Sequence, residues 1–331
     1  MARTLRDAPA VLRESGEVQF GSFRGGLPRM DFGPIPRGRL WQATHAKRWI
    51  YCAVADDSVF AACAVVSLGY AATAIVFALD RATGTMLVDK SALGPGPVAS
   101  FSDGGVGARR GQFKLGRTRA DLGDSGMVVD IAGDGDGSLP THFFVEAEAD
   151  GPPPISAVVP IEGGYANATE KRVRRASGEI VAGGKRFVLD GAVLALDHTS
   201  GFLARHTAWR WALALGQTDR GTLFAMNLVE GFVGEAECGV WIGDELHAVG
   251  EGRFEYRAED PSQDWHVTTT CGAVDLRFRP AAVHSEDKDM LIVRSKFVQP
   301  VGAWEGTVRV AGETHVISGV PGVTEHQDVL W

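Results

Sequence analysis

The chain has 331 residues, of which 45% are hydrophobic and 22% are charged, an ordinary composition for a globular protein with a sizeable core. Its formal net charge of -8 argues against nucleic acid as a binding partner, because affinity for the phosphate backbone depends on clustered lysine and arginine. The N-terminus carries charges throughout and lacks the apolar core of a secretory signal, so the sequence predicts a cytoplasmic protein without an integral membrane segment.

The 42 glycines recur beside turn-forming residues between short apolar runs, which is typical of many hairpins. The sequence therefore predicts an all-β fold of two consecutive antiparallel barrels, each of roughly eight strands, with few short helices. Proline and glycine concentrate near the midpoint in DGPPP, where we expect a junction. The predicted organisation is an N-terminal extension over 1–20, a first barrel over 21–154 and a second barrel over 155–331.

Helical patterning is scarce along the chain. Two short helices are predicted, Met1–Glu14 and Ala166–Ala176, and the second could also be an edge strand with alternating charges. The apolar stretch Val59–Leu79 is interrupted by serine, glycine and threonine and favours a hairpin over a membrane span. Further hairpins are predicted around the turns DRATG, AGGKR and EGFVGE.

Several motifs of catalytic, metal and cofactor sites are missing from the sequence. It has no phosphate-binding glycine loop, no nucleophile elbow and no HExxH zinc helix. The acidic segment 132–137 lacks the final glutamate of a calcium loop and favours a surface turn. The four cysteines form no CxxC pair and are predicted to be reduced core thiols. We therefore expect neither a metal nor a cofactor.

The segment with the most candidate functional side chains is Leu194–Leu215, LALDHTSGFLARHTAWRWALAL. Charged groups interrupt an apolar, strand-like stretch there. Buried polar groups need mutual partners or a wet pocket, so this segment predicts a site. For Asp197 two interpretations are open, because the shared pattern LDRATG at Leu79–Gly84 suggests a tight turn that could also face a barrel mouth. The candidate side chains here are Asp197, His198, Arg205, His206, Trp209, Arg210 and Trp211.

Strand alternation over Arg205–Leu215 would separate Trp209 and Trp211 from His206 and Arg210. The tryptophans either complete the core or form an aromatic wall. Arg210 is expected to pair with a carboxylate on a neighbouring strand. The available partners are Glu235, Glu237 and Asp197.

Two other segments complete the set. Trp49 precedes alanine-rich strands, which indicate either a cavity or two closely packed sheets. At the C-terminus, Trp331 predicts that GVTEHQDVLW is fixed as a last strand, bringing Glu325 back to the body of the protein, although a solvated end stays an alternative.

Five motifs together resemble one bacterial family, the domain-of-unknown-function family 2804, over nearly the whole chain from about Gly21. They are KRWIYCAV (Lys47–Val54), FALDRATG (Phe77–Gly84), LDHTSGFLARHTAWRWA (Leu196–Ala212), NLVEGF (Asn227–Phe232) and GVTEH (Gly322–His326). The resemblance implies two lipocalin-like (calycin) barrels with an apolar cavity, distantly similar to carotenoid hydratases and lipocalin-like cyclases. In the hydratases an Asp-His-x-x-Gly motif is associated with protonating an alkene, and Asp197 and His198 stand in a similar place.

The leading hypothesis is a cofactor-independent enzyme that acts on an apolar, isoprenoid or polyketide-like molecule by proton transfer at a double bond, as a hydratase, isomerase or cyclase. The predicted catalytic groups are Asp197, His198, His206 and Glu325. The predicted substrate-binding groups are Trp49, Arg205, Trp209, Arg210, Trp211 and Asn227. The alternatives are a non-catalytic carrier of a hydrophobic ligand, in which Asp197 and His198 only stabilise a turn, and a structural domain with a filled interior.

Overall fold

The fold consists mainly of long antiparallel strands. The computed structural model describes residues 3–133, 139–290 and 293–331. The elements up to residue 202 are β1 (Arg6–Asp7), β2 (Arg13–Glu14), β3 (Glu17–Val18), β4 (Gly21–Arg24), α1 (Arg39–His45), β5 (Ala46–Ala55), β6 (Val59–Ser67), β7 (Ala71–Asp80), β8 (Thr85–Pro95), a 3-10 turn (Gly96–Val98), β9 (Ala99–Asp103), β10 (Arg109–Leu115), β11 (Thr118–Gly123), β12 (Gly126–Ile131), β13 (Thr141–Ala147), β14 (Ile155–Pro160), β15 (Ala166–Ala182) and β16 (Lys185–Phe202). The remaining elements are β17 (His206–Gln217), β18 (Leu223–Gly231), a 3-10 turn (Gly234–Glu237), β19 (Gly239–Ile242), β20 (Glu245–Ala248), β21 (Gly252–Glu255), β22 (Trp265–Thr269), β23 (Val274–Met290), β24 (Val293–Val310) and β25 (Glu313–Leu330).

These strands form two large curled sheets. Within the described ranges the first sheet has fourteen strands, with the order β8, β7, β6, β5, β16, β15, β13, β12, β11, β10, β9 and with β14, β4 and β1 branching from β15. The second has nine strands in the order β20, β19, β18, β17, β25, β24, β23, β22, β21. The predicted all-β class of two antiparallel barrels with few short helices is confirmed.

Both predicted helices are wrong. The segment Met1–Glu14 contains the short strands β1 and β2, and Ala166–Ala176 belongs to β15. Because β15 pairs with β13 and β14 along one edge and with β16 along the other, its backbone groups are satisfied by ladders rather than by a helix. The predicted hairpins are present as the pairs β6–β7, β7–β8, β15–β16 and β18–β19.

The change from one sheet to the other falls between Phe202 and His206, since β15 and β16 pair within the first sheet. The domain boundary at residue 154 stays a prediction. Most of the predicted turn at 132–137 lies outside the described ranges. Across the residues that the structure describes, no helix is long and apolar enough to cross a membrane. The four cysteines are free, and three of them are buried.

Central strands of the first sheet are buried on both faces. On β5, Cys52 and Val54 pack into the interior of the first sheet, whereas Tyr51 and Ala53 pack in the core shared with the second sheet. This double burial explains the nearly continuous apolar runs of β5 and β6. It also means that alternate residues of one strand enter different compartments.

Candidate active site

A cavity of about 170 Å³ lies between the two sheets. Its walls are mainly apolar and aromatic, and the largest side chains are Trp49, Trp209, Trp211, Phe232, Phe297 and Trp331. A group of polar side chains, here called the polar cluster, lines the same cavity: Tyr51, Lys171, Asp197, Glu237, Gln299 and Glu325. The cavity thus combines hydrophobic walls with a few convergent polar groups, which is the usual composition of a small-molecule site.

Asp197 enters the cavity from the middle of a strand. It lies on β16 directly between Lys171 of β15 and Tyr51 of β5, its cross-strand neighbours. The turn interpretation of Asp197 is therefore wrong. In the related motif at Leu79–Gly84, by contrast, Asp80 does form a turn, since its Oδ1 accepts hydrogen bonds from the amides of Ala82 and Thr83 at 3.0 and 3.3 Å. Ladder partners on both edges of β16 override the local turn preference of DHTSG.

Lys171 joins two carboxyl groups of the polar cluster. Its Nζ lies 2.6 Å from Asp197 Oδ1 and 3.4 Å from Glu237 Oε2. Burial lowers the pKa of Lys171, but the two carboxylates outweigh it, and the net pKa is raised. Burial also raises the pKa of Glu237, with Lys171 opposing. The ammonium group of Lys171 therefore stays charged and holds Asp197 in an ion pair.

Glu325 supplies a different kind of carboxyl group. Its Oε1 accepts a hydrogen bond from Trp209 Nε1 at 2.7 Å, and its Oε2 accepts one from Gln299 Nε2 at 2.6 Å. Burial raises the pKa of Glu325 to about 7, against the effect of these two hydrogen bonds and with a further increase from Asp197. A carboxyl group with such a pKa exchanges its proton near neutral pH, as a general acid or base must.

Tryptophan rings enclose these carboxyl groups. The rings of Trp49 and Trp209 are stacked with centroids 6.0 Å apart, and Tyr51 meets Trp211 edge to face at 5.3 Å. Both interpretations of the tryptophans hold for Trp211, which belongs to the core and also lines the cavity. The faces of such rings attract cations by their negative quadrupole, so the walls could stabilise a carbocation.

The two predicted histidines lie away from the cavity. His198 follows Asp197 in a strand, so its side chain enters the opposite face, where burial first and then Arg109 keep its pKa well below the ordinary value. His206 is exposed and pairs with Asp328, with 2.9 Å between Nε2 and Oδ1. Neither imidazole is placed to exchange a proton with Asp197 inside the cavity.

The predicted binding groups Arg205, Arg210 and Asn227 also lie outside the cavity lining. Arg205 donates a hydrogen bond to the main-chain oxygen of Trp331. Arg210 pairs with Glu230 at 2.8 Å rather than with any of the partners expected from the sequence, because Glu230 is its direct cross-strand neighbour. Asn227 lies behind the wall, accepting a hydrogen bond from Trp211 Nε1 at 2.8 Å.

Five predicted site residues do meet at the cavity: Trp49, Asp197, Trp209, Trp211 and Glu325. Sequence reasoning missed the roles of Lys171, Gln299 and Tyr51, and considered Glu237 only as a partner of Arg210. Lys171 stood in a basic run that suggested a helix or an exposed edge. A strand interpretation of the same segment could have identified Lys171, because a lysine in the middle of a strand that is paired on both sides needs a carboxylate on a neighbouring strand.

The family model named Domain of unknown function (DUF2804) matches residues 2–331. The chain belongs to this family. Among solved structures, the DUF2804 chain is similar to CghA in its crystal structure with Sch210972, at 13% identity and a TM-score of 0.53, covering 98% of this chain and 97% of CghA. It is also similar to kievitone hydratase from Nectria haematococca, at 11% identity and a TM-score of 0.46, covering 95% and 98%. No curated protein matches the chain. At 13% identity the likeness to CghA shows the fold alone.

Proposed function

We propose that this DUF2804 protein is an enzyme that transfers a proton to or from a double bond of an apolar small molecule, in a hydration, isomerisation or cyclisation. The observation that carries the proposal is the position of the Glu325 carboxyl group in the wall of an apolar cavity, where burial raises its pKa to about 7. The similar fold of CghA, whose crystal structure is with Sch210972, supports a ligand-binding role for this cavity.

Glu325 is the proposed acid. Its proton forms a new C–H bond at one carbon of the double bond, the π electrons form that bond, and the other carbon becomes cationic beside the tryptophan rings. In a hydration, a water oxygen bonds to the cation and returns one proton to the carboxylate. In an isomerisation or cyclisation, the carboxylate removes a proton from a neighbouring carbon instead.

Asp197 has an electrostatic part in this scheme. Its Oδ1 is held by the ammonium group of Lys171, so we assign the acid role to Glu325 rather than to Asp197. Its negative charge raises the pKa of Glu325 and favours a cation in the cavity. Proton transfer of this kind consumes no cofactor, and we keep the absence of a cofactor, with the cytoplasmic location, as predictions.

The test uses heavy water and a panel of isoprenoid and polyketide-like alkenes. Purified protein is incubated with the panel in light and heavy water, and the products are identified by high-resolution mass spectrometry. A hydration adds the mass of one water of the solvent used, whereas an isomerisation or cyclisation keeps the formula and introduces solvent deuterium at carbon.

We expect a labelled product with the wild-type protein and far less of it, in the same time, with Glu325→Gln. A hydrophobic compound that binds but takes up no deuterium with either the wild-type protein or Glu325→Gln would contradict the enzyme proposal. It would support the alternative of a carrier. Native mass spectrometry of the same samples identifies that outcome directly, because it detects the bound compound and its mass.

A further inference from the structure

Tyr51 is the member of the polar cluster whose side-chain polar group has no hydrogen bond. Its ring is buried, and among the described residues its hydroxyl has no hydrogen-bond partner. The neighbouring Glu325, Trp209 and Trp211 all have theirs. A buried hydroxyl without a partner costs free energy, so a cavity that keeps one is suited to a ligand that completes it.

The surroundings of Tyr51 determine what that ligand offers. Burial first, and then the charges of Glu325 and Asp197, raise the pKa of Tyr51 well above its ordinary value, so the phenol stays neutral and keeps its proton to donate. Trp211 packs edge to face against the ring and fixes its orientation. The fitting partner is an uncharged acceptor, because an anion would be repelled by the neighbouring carboxylates.

Thr73, a second residue of the cavity lining, also carries an unused hydroxyl. The Oγ1 of Thr73, on β7, is buried and has no hydrogen-bond partner in the part of the chain that the structure describes. Between it and Tyr51 the wall is apolar, formed by Ala64, Val66 and Ile75. Oxygen atoms on an otherwise hydrophobic ligand would match this distribution.

We propose that the substrate is an unsaturated carbonyl compound whose carbonyl oxygen accepts a hydrogen bond from the Tyr51 hydroxyl, with its conjugated double bond beside Glu325. This inference rests on the proposed function and names its substrate class. In this substrate class no free carbocation forms: the hydrogen bond draws electrons toward the carbonyl oxygen, and the positive charge that the general scheme places on one carbon becomes a partial charge on the β carbon. In a hydration, the water oxygen then bonds to the β carbon, the proton of Glu325 goes to the α carbon, and the remaining proton of the water returns to the carboxylate.

Binding of two matched probes tests the inference without any turnover. Benzylideneacetone is an enone, and trans-β-ethylstyrene has the same carbon skeleton without the oxygen. By calorimetry, we expect Tyr51→Phe to weaken binding of benzylideneacetone by about ten-fold, which corresponds to about 1.4 kcal/mol, and to leave the affinity for trans-β-ethylstyrene unchanged. The carbonyl stretch of bound benzylideneacetone should lie at lower wavenumber in the wild-type protein than in Tyr51→Phe.

Tyr256→Phe is the matched control, because the Tyr256 hydroxyl is hydrogen-bonded to His326 outside the cavity. It should lower the melting temperature and change neither affinity, whereas Tyr51→Phe should keep or raise the melting temperature by removing an unpaired hydroxyl. Equal affinity of wild type and Tyr51→Phe for benzylideneacetone, or no binding of it to wild type, would overturn the inference.

The two proposals fail in different ways. If the enone binds selectively but no deuterium enters any alkene, the substrate-binding role of Tyr51 stands and the enzyme proposal fails. If deuterium enters alkenes that lack a carbonyl group while Tyr51→Phe binds both probes like wild type, the enzyme proposal stands and the carbonyl class fails.

Discussion

Replacing Lys171 with methionine is expected to lower the free energy of unfolding by about 3–5 kcal/mol. Lys171 is buried, and its ammonium group is shared between Asp197 and Glu237 at 2.6 and 3.4 Å. Without it, two carboxyl groups lie close together in an apolar interior with no compensating charge. Denaturant unfolding at neutral pH measures the loss.

The control for this prediction is Lys185→Met, which removes a half-exposed lysine; its partner Asp80 is buried but keeps the hydrogen bonds from the amides of Ala82 and Thr83. Lys185 Nζ lies 2.5 Å from Asp80 Oδ2, and its side chain is 50% exposed, so we expect a loss of no more than about 1 kcal/mol. Adding Asp197→Asn to Lys171→Met should restore part of the stability, because it removes one of the uncompensated charges. Similar small losses for Lys171→Met and Lys185→Met would show that the buried cluster does not depend on Lys171.

Glu325→Gln is expected to reduce turnover by about 10²–10⁴-fold, the usual contribution of a general acid. The amide keeps the shape of the side chain and can still accept the hydrogen bond of Trp209, while a flip of the Gln299 amide satisfies its new N–H group. The loss should therefore appear in kcat rather than in substrate binding. Steady-state kinetics on the compound found with heavy water measures it.

The activity of the wild-type protein should also depend on pH through Glu325. An acid must be protonated to act, so wild-type kcat should fall as pH rises through the Glu325 pKa of about 7. Glu230→Gln is the matched control, since Glu230 pairs with Arg210 outside the cavity and should change neither rate nor profile. A Glu325→Gln variant with full activity and an unchanged profile would remove Glu325 from the chemistry.

Local patterns predicted the strands well because hairpins are local structures. The apolar run at Val59–Leu79 and the turn residues after it are sufficient to form β6, β7 and β8. The terminal Trp331 likewise indicated a fixed last strand, and β25 extends to Leu330 and places Glu325 in the cavity. Where two paired strands are close in sequence, the local residue pattern is sufficient to predict that they pair.

The polar cluster was harder to predict, because its members come from strands far apart in sequence. Lys171 and Glu237 meet only when β15 lies beside the 3-10 turn at Gly234–Glu237. The histidine prediction failed for a simpler reason. Asp197 and His198 are adjacent in sequence, and adjacency within a strand sends their side chains to opposite faces.

The proposed chemistry depends on a Glu325 carboxyl group that still carries a proton near neutral pH inside the cavity. Carbon-13 NMR of protein labelled at the glutamate carboxyl groups measures this directly, with the Glu325→Gln spectrum identifying the signal. We predict a titration midpoint near 7 for Glu325. A midpoint at the ordinary glutamate value of about 4.3 would contradict the account, because Glu325 would then be an ionised carboxylate throughout the working range.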